Sequence, residues 1–418
     1  KIRFRHLCVN KVIVMLHAQD IATSAAPLQL SRQPVFDANF EVMGYALLMR
    51  GGDGQAKEQV EAILGSYASR YADRVVGNQL AFVRVGESHI RMGLASVLPR
   101  GRTILEVVNS GAVNEDLSDE VKRLVSRGHL IALGDFVLTA ASYSLLPHAQ
   151  YVKLDIPRFS QDQIVMQVKV LKRYDLKIVA SNIHTHEQFE LCKELGFDFF
   201  QGTFLCRPRE IKSEAVKVQR HAVIELLTKV NDPDVGVDEL VDTIRRDGGL
   251  VVGLLRIVNS AFYGMNRRVH TAKQAISLLG LQRIRSWVAL LGVAHMDDKP
   301  DELIASAMLR ARMAELLAVE ANAENPERYF IVGILSMLDA MMDRPMSEVV
   351  EELPLSKDMQ RALLHRRGRL GRALYCVEAH ERAIWNQVQF EGLTPTQIQD
   401  CWIEAVEWTR QMRPMVSK

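Results

Sequence analysis

Several kinds of side chain in this 418-residue sequence could do chemistry, and their spacing decides which of them do. The five cysteines, Cys8, Cys192, Cys206, Cys376 and Cys401, are odd in number and scattered, with no C-x-x-C pair. Neither a disulfide framework nor a zinc knuckle fits them, and a reducing cytoplasm does. His221, His270, His295, His365 and His380 stand singly, and no His-Asp dipeptide occurs. A lone histidine is more often a surface or core residue than a ligand, so none of these is expected to bind metal.

One run departs from the even charge. His365, Arg366, Arg367, Arg369 and Arg372 lie within eight residues, with no acid among them. Such a run could grip a phosphate or an acidic partner. The reading adopted is a solvated basic turn between Leu364 and Leu370, because charge runs usually face water. Arg267, Arg268, Arg283 and Arg285 extend it only if they fold alongside. Met337, Met341, Met342 and Met346 read as core, with an adaptable binding face as the alternative.

The elements that must position these groups fall into two classes. From Leu28 to about Arg207, short apolar runs alternate with amphipathic stretches. Strands are expected at Leu30–Phe36, Val42–Met49, Leu80–Val85, Thr103–Val108, Leu130–Phe136, Tyr151–Ile156, Lys177–Ser181 and Phe197–Gln201. Helices are expected at 57–71, 116–126, 161–174 and 187–195. About eight strands followed by helices in so short a span point to a compact α/β barrel of the TIM type rather than an open sheet.

After Pro208 nearly everything reads with helical period, so the second half is all-α. Helices are expected over 210–230, 237–246, 249–259, 271–279, 281–294, 301–321, 326–342, 345–352, 357–366, 369–386 and 394–412. Asn325-Pro326 and Thr394-Pro395 read as caps followed by proline, and Gly280 and Gly368 as helix stops. The expected division is a leader at 1–27, the barrel at 28–208 and the helical domain at 209–418. Met15 could be the start, with Ala18–Ala26 a flexible leader, and no signal peptide is expected.

Lys and Arg number 52 against 50 Asp and Glu, a formal charge of +2, which gives no bulk attraction to nucleic acid. No uncharged apolar run reaches the roughly 18 residues that would span a bilayer. Neither a membrane nor nucleic acid is expected as a partner. The rival nucleic-acid reading, through the arginines near Arg367, predicts an affinity that falls steeply with salt.

The first half resembles the EAL domain of cyclic-di-GMP phosphodiesterases. The residues that carry the resemblance are R-Q-P-V-F-D-A-N-F-E-V-M-G-Y-A-L-L-M-R (32–50), L-E-V-V (105–108), A-L-G-D-F (132–136), Y-V-K-L-D (151–155) and G-F-D-F-F-Q-G-T-F-L-C-R-P (196–208). The second half resembles the HDOD domain through I-R-R-D-G-G-L-V-V-G-L-L-R-I-V-N-S-A-F-Y-G (244–264), A-I-S-L-L-G-L-Q-R-I-R-S-W-V (275–288) and the stretch from Ile331 to Met346. In that comparison Leu338 and Asp339 stand where a His-Asp pair would be.

The EAL resemblance implies a two-metal phosphodiesterase site of converging carboxylates, delivered from the C-terminal ends of barrel strands. Against that pattern, Ala46 replaces a Glu, Arg84 an Asn and Gly134 an Asp, while Ser181 and His184 stand where carboxylates are expected. Glu106, Asp135, Lys153, Gln201 and Arg50 match it. So few oxygen ligands beside a fixed Arg84 charge imply no metal, no cofactor and no catalytic residue. Glu106 and Asp135 are expected to pair with Arg84 or Lys153 in a charge-compensated mouth. If cyclic-di-GMP binds, Arg50, Arg84, Glu106, Asp135, Lys153 and Gln201 would hold it.

The expectation is therefore a cytoplasmic signalling protein, not an enzyme, acting on protein partners as a scaffold or regulator. Two alternatives stay open: a cyclic-di-GMP phosphodiesterase with a weak or unusual metal site that recruits Asp155 or His184, and a receptor that binds without cleaving. The segment 210–230 has no Gly or Ser spacer, so it is expected to be a stiff helix packed near Leu254, Ile257 and Val258. A change at the barrel mouth would then reach the helical domain as a rigid-body shift.

Overall fold

The computed structural model describes residues 29–50, 72–91, 93, 95, 98–108, 115–209, 214–232, 234–264, 268–294, 296 and 299–416. The leader, Met15, Cys8, Arg267, His295 and the helix expected at 57–71 lie outside the described residues.

Eight strands close into a barrel in sequence order. They are β1 (Leu30–Phe36), β2 (Val42–Met49), β3 (Leu80–Gly86), β4 (Thr103–Val108), β5 (Leu130–Gly134), β6 (Tyr151–Asp155), β7 (Lys177–Ile183) and β8 (Phe199–Gly202). β1 runs antiparallel to both β2 and β8, and every other neighbouring pair is parallel. Alternate residues face inward, so Val35, Ala46, Phe82, Ile104, Ala132 and Val179 make a small apolar plug inside the barrel.

The helices of this half are α1 (Ala72–Val76), α2 (Glu87–Arg91), α3 (Glu115–Ser126), α4 (Ala140–Tyr143), α5 (Gln161–Leu171) and α6 (His186–Glu194). Capping boxes open α5 at Ser160 and Gln163, and α6 at Thr185 and Gln188. The strand expected to reach Phe136 stops at Gly134, because Asp135 turns the chain with φ of 47°.

Twelve helices follow among the described residues. They are α7 (Glu214–Asn231), α8 (Val237–Arg245), α9 (Gly248–Val258), α10 (Ala272–Leu279), α11 (Leu281–Ala294), α12 (Asp301–Glu320), α13 (Pro326–Leu335), α14 (Leu338–Met342), α15 (Met346–Glu351), α16 (Lys357–His365), α17 (Gly368–Glu381) and α18 (Pro395–Val416). Helix α12 lies at the centre, packed by α13, α17 and α18. None of the described helices is long and apolar enough to cross a membrane.

Four local expectations are corrected. The helix expected over 326–342 breaks after Leu335, where the Ser336 hydroxyl donates back to Gly333 O at 2.7 Å. Asn325 does not cap α13 but sits in the left-handed region, with φ of 52°. Gly368 opens α17 instead of closing α16, whose stop is Arg366 at φ of 55°. Helix α17 ends at Glu381, with Ala383 left-handed, and does not run on to Asn386.

Helix α7 rests chiefly on α11 and not on α9, with Leu226 against Gly292. The two halves meet through β1, α1 and the segment that follows β8. Gln399 of α18 binds the backbone of Leu30 twice, accepting from Leu30 N at 2.8 Å and donating to Leu30 O at 3.0 Å. Arg74 grips Glu407 with two bonds of 2.6 and 2.9 Å. Asp343 is a buried hub that accepts from Arg209 N at 2.6 Å, the Arg220 guanidinium at 2.6 Å and Lys299 Nζ at 2.8 Å.

Candidate functional site

The C-terminal ends of β3 to β8 form a mouth, and the inward positions at that end set its chemistry. Arg84 and Glu106 are neighbours in register across β3 and β4. The Glu106 carboxylate is buried and takes a 2.6 Å hydrogen bond from Lys153 Nζ, which is equally buried. Lys153 Nζ also lies 5.6 Å from the centre of the Phe82 ring. Arg84 turns the other way and pairs with Asp135 in the more exposed outer part of the mouth. The mouth is thus charge-compensated by two ion pairs, one dry and one wet.

Gln201 on β8 donates to Gln33 Oε1 at 2.8 Å, while its own buried Oε1 has no hydrogen-bond partner among the described residues. An orphaned buried acceptor at such a mouth is a place where a ligand donor would be welcome. Asp155 at the end of β6 accepts from Asn182 Nδ2 at 2.9 Å, and the Ser181 hydroxyl is used up on Leu154 O at 3.0 Å. His184 Nδ1 stands 3.2 Å from the Thr203 hydroxyl. Ala46 belongs to the apolar plug and offers no ligand atom. Arg50 lies beyond the end of β2 and donates to Gln29 Oε1 at 2.6 Å, so it joins neither ion pair.

The resemblance implies metals, which need several oxygen ligands converging on one point. Among the described residues no three His, Cys, Asp or Glu side chains stand close enough to share an ion. With Glu106 turned to Lys153 and Asp135 to Arg84, the residues as placed do not fit a metal pair, and no chemical step is derived through one.

In the helical half, the carboxylate of Asp339 accepts from Ala340 N at 2.8 Å, and burial pushes its pKa above the ordinary range. Around it lies a network of ion pairs. Arg310 donates to both Glu381 oxygens at 2.9 and 3.0 Å, and Arg366 binds Glu378 with contacts of 2.7 and 3.0 Å. Burial acts to raise Glu378, but the hydrogen bond from Arg366 and the charge of Arg310 outweigh it and hold the carboxyl low. Arg369 and Arg372 both lean on Glu391, the latter at 2.5 Å, and Arg367 is exposed. The arginine run is therefore largely neutralised by acids that are distant in sequence, a pairing that local charge counting misses.

The four described cysteines are unbridged, and burial pushes the thiols of Cys192, Cys376 and Cys401 up to about 12 and that of Cys206 to about 11. None is a ready thiolate nucleophile.

Family profiles match an EAL domain over residues 87–208 and an HDOD domain over 218–382. Cyclic di-GMP phosphodiesterase CdgJ of Vibrio cholerae is 28% identical over 403 residues, covering 93% of each chain. YuxH of Bacillus subtilis is 24% identical over 92% of this chain and 98% of its own. Among solved structures, an EAL domain protein from Listeria monocytogenes is 16% identical with a TM-score of 0.36, over 43% of this chain and 87% of that one. The expectation that this chain is not an enzyme is corrected by the first of these, since a relative matching over nearly its whole length is named as a phosphodiesterase. The substitutions at Ala46, Arg84 and Gly134 do not establish inactivity.

Proposed function

Starting from a chain that carries an EAL domain followed by an HDOD domain, we propose that its barrel mouth hydrolyses cyclic-di-GMP and that the helical half regulates it. The observation that carries this reading is the similarity to CdgJ over 93% of both chains, which spans the two domains and not the barrel alone. The division proposed is 28–208 for the barrel and 209–418 for the helical domain.

The mouth residues give the reading chemical content. A phosphodiester arriving from solvent meets the exposed Arg84 guanidinium first, in competition with Asp135. Its capture frees the Asp135 carboxylate. Deeper in, Lys153 supplies a fixed positive charge beside Glu106, and the orphaned Gln201 Oε1 can accept from a base or ribose donor. A protein partner would bind the helical half, whose core reaches the barrel through Gln399 and Leu30.

The test is turnover of cyclic-di-GMP by the full chain with Mg²⁺ or Mn²⁺, read as linear dinucleotide. Product formation that disappears in Glu106→Ala supports the reading. No product under any divalent ion overturns it, and calorimetry then shows whether the mouth binds without cleaving.

A further inference from the structure

We propose that the helical half carries a second, separate ligand site, an open hollow at the end of α9 that takes a nucleoside monophosphate. The hollow has a volume of about 670 Å³, within the range of roughly 300–1,000 Å³ usual for small-molecule sites. Its charged lining is one-sided. Arg256 comes from α9, and Arg268 and His270 come from the segment leading into α10; among the described residues no acidic side chain lines it. Among the described residues none of these three side chains makes an ion pair. The contrast is with the run at Arg366 to Arg372, where acids answer the arginines.

The hollow is built and not merely left over. Asn259, which caps α9, donates from Nδ2 to Leu255 O and to Val269 O, both at 2.8 Å, and accepts from Val269 N at 2.7 Å. That clamp fixes the segment 268–270 against the helix, so Arg268 and His270 are presented beside Arg256 at low entropic cost. It also gives Leu255 O a second donor beside Asn259 N, which reaches it at 3.1 Å. Ser260 lines the same hollow, and its hydroxyl oxygen is shut off from solvent with no hydrogen-bond partner among the described residues. A bound phosphate oxygen would supply that partner after rotation of the side chain.

The rest of the lining selects the remainder of the ligand. Val252, which is 56% exposed, stands with Leu255, Val269 and Met415 as an apolar wall. A planar base can lie on that wall, or under a guanidinium, while the phosphate meets the arginines. Inorganic phosphate would use only half of the site.

Isothermal titration of the full chain with GMP, and separately with inorganic pyrophosphate, tests the proposal. Saturable GMP binding is expected, weakened about tenfold or more in Arg256→Ala/Arg268→Ala and less in Ser260→Ala. Because both arginines are exposed, the double variant should melt with the parent, which separates a lost site from a lost fold. Arg84→Ala, at the barrel mouth, should leave GMP affinity unchanged. Absence of saturable binding at millimolar GMP, binding that survives the double variant, or pyrophosphate as tight as GMP would each overturn it. So would a loss seen only in Arg84→Ala, which would put the nucleotide at the barrel.

Discussion

Glu106 occupies space that exists because residue 134 has no side chain. A Cβ on Gly134 would lie 2.7 Å from Glu106 Cγ and 2.8 Å from its Oε1, closer than real contacts allow. The missing carboxylate at position 134 and the Glu106–Lys153 pair are therefore one feature of the mouth, since the absence of the first makes room for the second. Gly134→Asp, which restores the carboxylate of the EAL pattern, should push Glu106 off Lys153. The overcrowding should cost about 1–3 kcal/mol, measured as a lower denaturant midpoint. An unchanged midpoint would show that Glu106 has somewhere else to go.

Lys153 and Glu106 are both nearly inaccessible to solvent, so removing one member strands the other. Glu106→Ala should destabilise the barrel by about 3–5 kcal/mol as well as abolish turnover, because an ammonium is left buried and unpaired. The double change Glu106→Leu/Lys153→Met should recover most of the stability and none of the activity. Chemical denaturation of the three proteins checks the first statement, and the dinucleotide assay checks the second.

Arg84 and Asp135 behave differently because water reaches both. Arg84→Ala should change stability by less than about 0.5 kcal/mol. Its effect belongs to the ligand: affinity of the mouth for cyclic-di-GMP should fall about tenfold, with a weaker dependence on salt. Affinity equal to the parent would remove Arg84 from the site.

The barrel was legible because short apolar runs, buried on both faces, are repeatedly followed by amphipathic helical stretches. β1, β2 and β4 fall where the apolar runs put them, residue for residue. The helical half was legible as a class but not at its breaks, because Ser336, Arg366 and Ala383 stop helices through tertiary packing and left-handed backbone that no glycine marks. At the site, the pairing of Glu106 and Asp135 with Lys153 and Arg84 followed from the cost of leaving charge unpaired. Which acid takes which base did not, since that depends on the Gly134 gap. The hollow beside Asn259 was not legible at all. Arg256, Arg268 and His270 come together only through the Asn259 clamp, and sequence spacing carries no sign of it.

The stiffness expected of the connecting helix has a direct measurement. Val223, Ile224, Leu227 and Val230 of α7 are buried, and the helix is held in its second turn by the Arg220–Asp343 pair at 2.6 Å. Amides from His221 to Val230 should exchange more slowly than those of the largely exposed Ala261–Gly264 turn by at least about a hundredfold, as for a helix that opens only with its domain. Exchange as fast as that turn would make the segment a loose tether. Asp343→Ala should speed it, because Arg220 and Lys299 lose their shared carboxylate.

Acid should loosen the contact between the halves through one buried histidine. His380 is almost completely buried, and burial drives its pKa from 6.5 to about 4, against a small opposing effect of its 3.3 Å contact with Gln399. The folded protein therefore holds His380 neutral, while the unfolded chain takes up a proton below pH 6.5. The stabilisation is fully present above pH 6.5 and is lost progressively as pH falls towards 4. Across that window His380 alone withdraws about 3 kcal/mol. Its neighbours are the rings of Trp385 and Trp402 and the Gln399 amide, none of which can neutralise an imidazolium. Gln399 is also the side chain that binds Leu30 N and O, so protonation strikes at the junction with β1. Denaturant midpoints of the parent and His380→Gln, compared at pH 7 and pH 4.5, isolate the effect from other titrating groups. The parent should lose more stability than the variant on acidification, and equal losses would exclude His380 as the acid-sensitive group.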